Sequence, residues 1–314
     1  MPRPIVGLAP MADYTDTPFT LVCKRLGGLR VAFREMVSAE AIVRGNEKTF
    51  AMASIEDEER PVVQQIFGSD SKVMAEAARI IVERCQADAI DINMGCPARK
   101  LITNFDGASL MRNPECAEAI VKAVKGAVGV QVSVKTRLGW DDDRTCLEFV
   151  PRLEAAGADL VSIHGRTKAQ GYSGTANWDR VGEVAERISI PLLVNGDIIS
   201  GATALDAIRR AKASGCLIGR GAIGNPWIFH EIAVAIATGA PPVAPTLVDR
   251  VEAARLHAAL VYGREGDRGM IGLRKHLASY FKGLDGMKEV RSKLVRASTL
   301  KEIEEILNGE ARKQ

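Results

Sequence analysis

No two cysteines stand at CxxC or CxxH spacing. The six, Cys23, Cys85, Cys96, Cys116, Cys146 and Cys216, are scattered, which argues against a zinc ribbon or a disulfide framework and leaves reduced thiols, most of them core fillers. No apolar stretch reaches the ~18 residues of a membrane span. The start, Met-Pro-Arg-Pro and then a strand-like run, lacks signal-peptide architecture. No membrane contact and a cytoplasmic location are therefore expected. Histidine is scarce, four in 314 residues, and the one at a strand end, His164, has no second histidine near it in sequence, so no metal is expected. A strong excess of one charge is also missing, since the net charge is +3. Its distribution is uneven: residues 1–240 hold 28 basic and 29 acidic side chains, residues 241–314 hold 14 and 10. The positive excess thus sits in the tail, where an anionic partner is expected.

What is present is an alternation. Short β-rich apolar runs recur at Ile5–Met11, Val31–Val37, Pro61–Gly68, Ala89–Gly95, Val130–Gly139, Leu160–Arg166, Pro191–Asp197 and Gly215–Gly221. Helical patterns separate most of them, as in Ser69–Arg84, where Val73, Met74, Ala77, Ala78, Ile80 and Ile81 form a stripe of 3.6-residue period. Asn113-Pro114 and Asn225-Pro226 read as helix starts, and Thr145 with Glu148 has capping-box spacing. Gly157, Gly215 and Gly239 read as helix stops. Eight strand–helix units with nearly continuously apolar strands predict a closed parallel (β/α)8 TIM barrel; an open doubly wound sheet is the alternative. Residues 239–246, Gly-Ala-Pro-Pro-Val-Ala-Pro-Thr, read as a linker. Only helical patterns follow, at Leu247–Tyr262, Met270–Lys282, Met287–Ala297 and Thr299–Leu307. The expected division is a barrel over 1–240 and a small helical bundle over 241–314.

In a barrel the C-terminal strand ends form the site. Here those ends carry Pro10-Met11-Ala12, Glu35, Gln64-Gln65, Asn93 and Cys96, Lys135 and Arg137, His164 and Arg166, Asn195-Gly196-Asp197, and Gly219-Arg220-Gly221. The last two triplets follow strands seven and eight, where barrels commonly hold a phosphate on backbone N–H groups with an arginine beside them. Ordinary glycine turns are the competing reading of each. A phosphate there, with Lys135 and Gln65 further round, suggests an elongated phosphorylated cofactor such as FMN. Lysine would balance the charge of the reduced flavin and glutamine would meet its ring edge. A lone cysteine is more often an inert hydrophobe than a catalyst, but Cys96 lies just past a strand end. With a pKa near ~8.5 a thiol is mostly protonated at neutral pH and can serve as an acid.

These residues make the chain recognisable. It resembles the bacterial FMN-dependent tRNA-dihydrouridine synthases in Ala9-Pro10-Met11-Ala12 with Asp16, Gln65-Ile66-Phe67-Gly68, Asp91–Pro97, Val134–Trp140, Ile163–Thr167, Gln170–Gly174, Asn195–Asp197 and Ile218–Gly221. Arg274-Lys275-His276 with Tyr280 also fits, so the likeness runs from about Ile5 into the tail. The resemblance implies reduction of the C5=C6 bond of a uridine in the tRNA D-loop, with NADPH reducing the flavin, hydride passing to C6 and Cys96 protonating C5. It implies flavin contacts at Pro10, Met11, Ala12, Gln65, Lys135, His164, Asn195, Gly196, Asp197, Gly219 and Arg220. Asn93, Arg137 and Arg166 would serve the flipped base and its phosphate, with Ala98–Asn113 a lid near Cys96. A tail that grips tRNA would use Arg274, Lys275 and Arg291 among the 11 basic residues that face 5 acidic ones in Arg250–Arg296. A monomer is expected. The competing functions are a flavin dehydrogenase of a free pyrimidine and a tRNA-binding protein without redox activity, and the uridine position stays open.

Overall fold

Every expected apolar run becomes a strand in the computed structural model, which describes residues 4–239 and 243–311. The strands are β1 (Ile5–Leu8), β2 (Val31–Ser38), β3 (Val62–Phe67), β4 (Ala89–Met94), β5 (Gln131–Arg137), β6 (Leu160–His164), β7 (Leu192–Asn195) and β8 (Gly215–Ile218). All are parallel and each pairs with the next. β8 returns to β1, with Ile5 opposite Gly215 and Leu8 opposite Ile218, so the barrel is closed and the open sheet is excluded. The ladders stop short of the apolar runs: β1 ends at Leu8, β7 at Asn195 and β8 at Ile218. The remaining residues of those runs turn across the barrel mouth, and this makes them available for a site.

Local chemistry explains most helix boundaries. Asp70 accepts from the N–H groups of Lys72 and Val73 and starts the helix Ser71–Ile80, which passes into a π turn at Ile81–Cys85 rather than running unbroken to Arg84. Asn113 caps Pro114–Ala127 as expected, its Oδ1 3.2 Å from the Cys116 nitrogen. Three expectations fail. Thr145 forms no capping box, because its own backbone is already helical and its hydroxyl donates to the Asp142 carbonyl at 3.0 Å. The helix after Asn225-Pro226 begins only at Ile228. Gly215 is no helix stop; it opens β8, where a Cβ would lie 1.9 Å from the Ile5 carbonyl oxygen.

Beyond the barrel lie the helices Leu247–Glu265, Asp267–Tyr280, Lys288–Leu294 and Leu300–Ala311. They enclose their own apolar cluster, which includes Val251, Met270, Leu277, Phe281, Leu294 and Leu307, and pack on the barrel through Leu26 and Trp227. Two buried imidazoles mark that seam. His257 and His276 have ring centroids 4.7 Å apart, and His276 lies 4.7 Å from Phe19 and 5.1 Å from Tyr14. The boundary expected between residues 240 and 241 lies outside the described residues.

Candidate active site

The strand ends surround a cavity of about 660 Å³ at the barrel mouth, within the ~300–1,000 Å³ of ligand and cofactor sites. Its wall brings together Pro10, Met11 and Ala12 after β1, Gln65 of β3, Asn93 and Cys96 at β4, and Lys135 and Arg137 of β5. His164, Asn195, Gly196, Asp197, Gly219 and Arg220 complete the ring. Residues from all over the sequence converge because inward-facing positions alternate along a strand: Ser133, Lys135 and Arg137 share one face of β5, and Asp91 and Asn93 share one face of β4.

Hydrogen bonds tie the floor together. Asp91 accepts from Gln65 Nε2 and from Ser133 Oγ, both at 2.6 Å. Gln65 Oε1 accepts from Asn93 Nδ2 at 2.8 Å, and Asn93 Oδ1 accepts from the Gly95 and Cys96 N–H groups at 3.2 and 3.0 Å. Arg137 donates from Nε to the Gly95 carbonyl and from Nη1 to the carbonyls of Thr167 and Gly171. The Cys96 turn is thus held from two sides.

The field is positive. Among the described residues, Lys135, Arg137, Arg220 and Lys282 line the cavity against a single carboxylate, Asp197. Burial, and then repulsion from Arg137, Lys135, Arg166 and Arg220, holds the His164 pKa well below the usual imidazole value, so its ring is neutral at pH 7. Burial also pushes the Lys135 pKa down and the neighbouring Arg137 adds to this, while Asp91 pulls it back up. The Asp91 pKa is raised, again by burial first, with the bonds from Ser133 and Gln65 opposing. Arg220 is exposed and stands 4.4 Å over the ring of Tyr172. Such a set of cations around an open cavity suits an anionic, phosphate-bearing ligand.

The two glycine turns prove to be shaped by packing as well. Gly196 has φ +109, and a Cβ there would meet the His164 ring at 2.7 Å; at Gly221 it would meet the Ile198 carbonyl at 2.3 Å. A side chain is excluded at both before any ligand arrives.

Four residues expected to bind substrate lie outside the cavity wall: Arg166, expected at the base, and Arg274, Lys275 and Arg291, expected on the tail that grips tRNA rather than in the cavity. Arg166 is 2% exposed and donates to Asp197 at 2.7 Å and to the carbonyls of Ser173 and Gly174. It holds the β6 and β7 turns together. Arg274 donates to the carbonyls of Ala297 and Arg296 at 2.7 and 2.9 Å, fastening two tail segments. Lys275 lies 4.5 Å over the Tyr14 ring, one residue removed from the cavity, and Arg291 is half-buried on Lys288–Leu294. Glu35, expected on the rim, is turned beneath Asp13, whose N–H donates to it at 2.9 Å. In the expected lid, Gly107–Met111 are buried and Ala108 N–H donates to the Cys96 carbonyl; that half is fixed to the barrel.

Sequence reasoning gave no role to Asp91, Ser133, Met36 or Tyr172. The first two had a signal, since they precede Asn93 and Lys135 by two residues in the same strands. Tyr172 had only its place in the Gln170–Gly174 resemblance to mark it, because a loop carries no periodicity.

A family model described as dihydrouridine synthase matches residues 7–314. A probable tRNA-dihydrouridine synthase 1 of Synechocystis is 38% identical over 96% of this chain and 84% of its own. A tRNA-dihydrouridine synthase B of Pseudomonas putida is 40% identical over 91% and 85%, and a probable tRNA-dihydrouridine synthase of Rhodobacter capsulatus 39% over 94% and 91%. Among solved structures, morphinone reductase with tetrahydroNAD superposes with TM-score 0.54 at 11% identity, covering 77% of this chain and 88% of that one. A 2-naphthoyl-CoA reductase complex gives 0.55 at 14%, over 73% and 50%, so the chain spans half the length of that protein. At such identities these two speak for the barrel fold alone.

Proposed function

The chain belongs to the dihydrouridine synthase family, and from that premise we propose that it binds FMN in the barrel mouth, draws electrons from NADPH and reduces a uridine of the tRNA D-loop with Cys96 as proton donor. It is a flavin-dependent oxidoreductase acting on tRNA uridine. Bound in the mouth, the flavin supplies the hydride that saturates the uracil at C6.

The rest belongs to the chain's own residues. Arg220 and the backbone of Gly196 and Gly219 suit the flavin phosphate, and the excess of cations in the wall supports this placement. Lys135, ammonium-bearing and deep in the cavity, suits the charge that accumulates on a reduced flavin. His164, neutral, fills the wall between those two groups without adding a charge. Cys96 stands on the opposite wall from Arg220 in strand order, half-buried, where its thiol proton can reach C5 of a flipped base. Asn93 and Arg137 hold its turn and face the same space; Arg137 keeps Nη2 for the base. The helical tail is read as a tRNA grip, with Lys282 reaching the cavity wall from it, and the protein as a monomer.

The observation that carries this reading is the presence of Cys96 and the Gly219-Arg220 turn in the wall of one cavity. A visible spectrum of the purified protein tests the cofactor: a flavin band near ~450 nm is expected, and a colourless protein that still binds tRNA would favour a non-redox binder. Nucleoside mass spectrometry of tRNA with and without the gene tests the reaction. Turnover of free uracil above that of unmodified tRNA would favour a small-molecule dehydrogenase instead.

A further inference from the structure

One buried carboxylate has no part in the chemistry above. Asp91 is fully buried in β4, opposite Gln65 of β3 and Ser133 of β5. A carboxylate only accepts hydrogen bonds, so Gln65 must turn its nitrogen toward Asp91, as it does at 2.6 Å. Its oxygen is then left for the other side, where Asn93 Nδ2 donates at 2.8 Å. Asn93 in turn has only its oxygen for the N–H groups of Gly95 and Cys96. The direction set at Asp91 passes through two side-chain amides to the backbone that carries the thiol.

We propose that Asp91 is a positioning residue of the reduction, acting through Gln65 and Asn93 to fix which atom each amide turns to the cavity and where Cys96 stands. The proposal rests on the reading of this cavity as the flavin and uracil site. With a neutral group at position 91 the relay loses its direction. A donor there can bond to Gln65 Oε1, which turns Gln65 Nε2 toward Asn93; Asn93 then turns its own nitrogen toward the two backbone N–H groups, and donor faces donor at the Cys96 turn. Charge supports the same role. The charged group facing Asp91 is Lys135 of the adjacent strand, and Arg137 and Cys96 face Lys135 in turn. Burial, and then Arg137, drives the Lys135 proton off, while Asp91 retains it. Without that negative charge Lys135 loses its proton at lower pH.

The test compares wild type, Asp91→Asn, Ser133→Ala and the double variant Asp91→Asn with Gln65→Glu, as full-length protein. The first keeps the volume and removes the charge; the second removes one of the two donors to Asp91 and keeps its charge. In the double variant the carboxylate has moved one place along the relay, where it accepts from Asn93 on one side and from the amide introduced at position 91 on the other. Three quantities are read: the rate of Cys96 alkylation by iodoacetamide, located by peptide mass spectrometry, with and without flavin; the single-turnover rate per bound flavin; and its pH profile. Asp91→Asn is expected to change the alkylation rate severalfold, to slow single turnover about tenfold or more, and to move the basic limb of the profile to lower pH. Ser133→Ala should move alkylation and turnover in the same directions by less, and it stands in if Asp91→Asn does not fold. The double variant should return the alkylation rate toward wild type. A lower melting temperature or lower flavin occupancy with alkylation, rate per flavin and pH profile unchanged would overturn the proposal and leave Asp91 structural. Because alkylation is also read without flavin, a wild type that holds no flavin refutes the functional reading while the positioning of Cys96 is still measured.

Discussion

Asn93 holds Cys96 by the backbone: Asn93 Oδ1 lies 3.0 Å from the Cys96 nitrogen and 3.2 Å from that of Gly95. Its nitrogen is directed at Gln65 Oε1, 2.8 Å away, and Met36 Sδ, 3.2 Å away. The amide expected to bind the base therefore already has protein partners for both ends, and its larger duty is to the thiol turn. Asn93→Ala removes these bonds in a buried setting, where a missing partner costs ~1–3 kcal/mol. Single-turnover reduction of tRNA should slow about 10–100-fold, with flavin affinity little changed. Rates within twofold of wild type, measured by rapid quench, would remove Asn93 from the mechanism.

Cys96→Ala should leave flavin and tRNA binding intact and reduce product formation by about 10²–10⁴-fold, the usual worth of a positioned acid. Quantifying dihydrouridine per tRNA over time checks this, alongside the flavin spectrum and tRNA titration. Full activity on native tRNA would refute the acid role. The substitution leaves the backbone bonds to Asn93 in place, so its effect reports the thiol itself rather than the turn.

The barrel was legible because eight short apolar runs and their helical spacers state the same topology at every level: period, punctuation and strand count. The site was legible at strand ends for a related reason, since in this fold a polar residue past an apolar run has one place to go. Partnership was not legible. Arg166 and Arg274 read as free cations in one dimension, yet each is taken up by carbonyls distant in sequence. Asp91 sits inside a motif quoted for its cysteine, and only the pairing of β3, β4 and β5 shows what its carboxylate controls. Helix starts failed where the local backbone took another course: Thr145 is already helical with its hydroxyl on the Asp142 carbonyl, and after Pro226 the helix opens only at Ile228.

The tail divides into cations that hold the fold and cations free to meet phosphate. Arg274 belongs to the first group, so Arg274→Ala should lower the melting temperature through loss of its bonds to Arg296 and Ala297. Lys282, exposed and in the cavity wall, and Arg291 belong to the second. Replacing both by alanine should weaken tRNA binding and flatten the slope of log K against log salt by about 2, roughly one for each phosphate no longer neutralised. Fluorescence anisotropy at several salt concentrations checks this. An unchanged slope would place the tRNA on another face.

The seam between tail and barrel should be acid-sensitive, and the sign follows from its imidazoles. Burial pushes the His276 pKa down to about 3, with Lys275 adding to the effect, and holds that of His257 well below the usual value, with His276 adding. Unfolded histidine titrates near ~6.5. Each buried ring therefore stays neutral while its unfolded counterpart takes up a proton, and stability is lost as the pH falls from about 6.5 toward 3, by at most ~1.4 kcal/mol per pH unit for each histidine. Asp16 on the same seam opposes this: burial raises its pKa to about 6, so protonation there favours the fold as the pH drops through that value. Glu35, which faces Lys275 of the tail and whose pKa is also raised by burial, acts in the same sense as Asp16, so the loss due to the histidines is read by removing one of them. His276→Phe keeps a ring against Phe19 and Tyr14 and removes one titration, so urea midpoints measured between pH 7 and 4 should fall less steeply than in wild type. Equal slopes would mean that His276 finds a proton acceptor in the folded protein and is not the source of the acid limb.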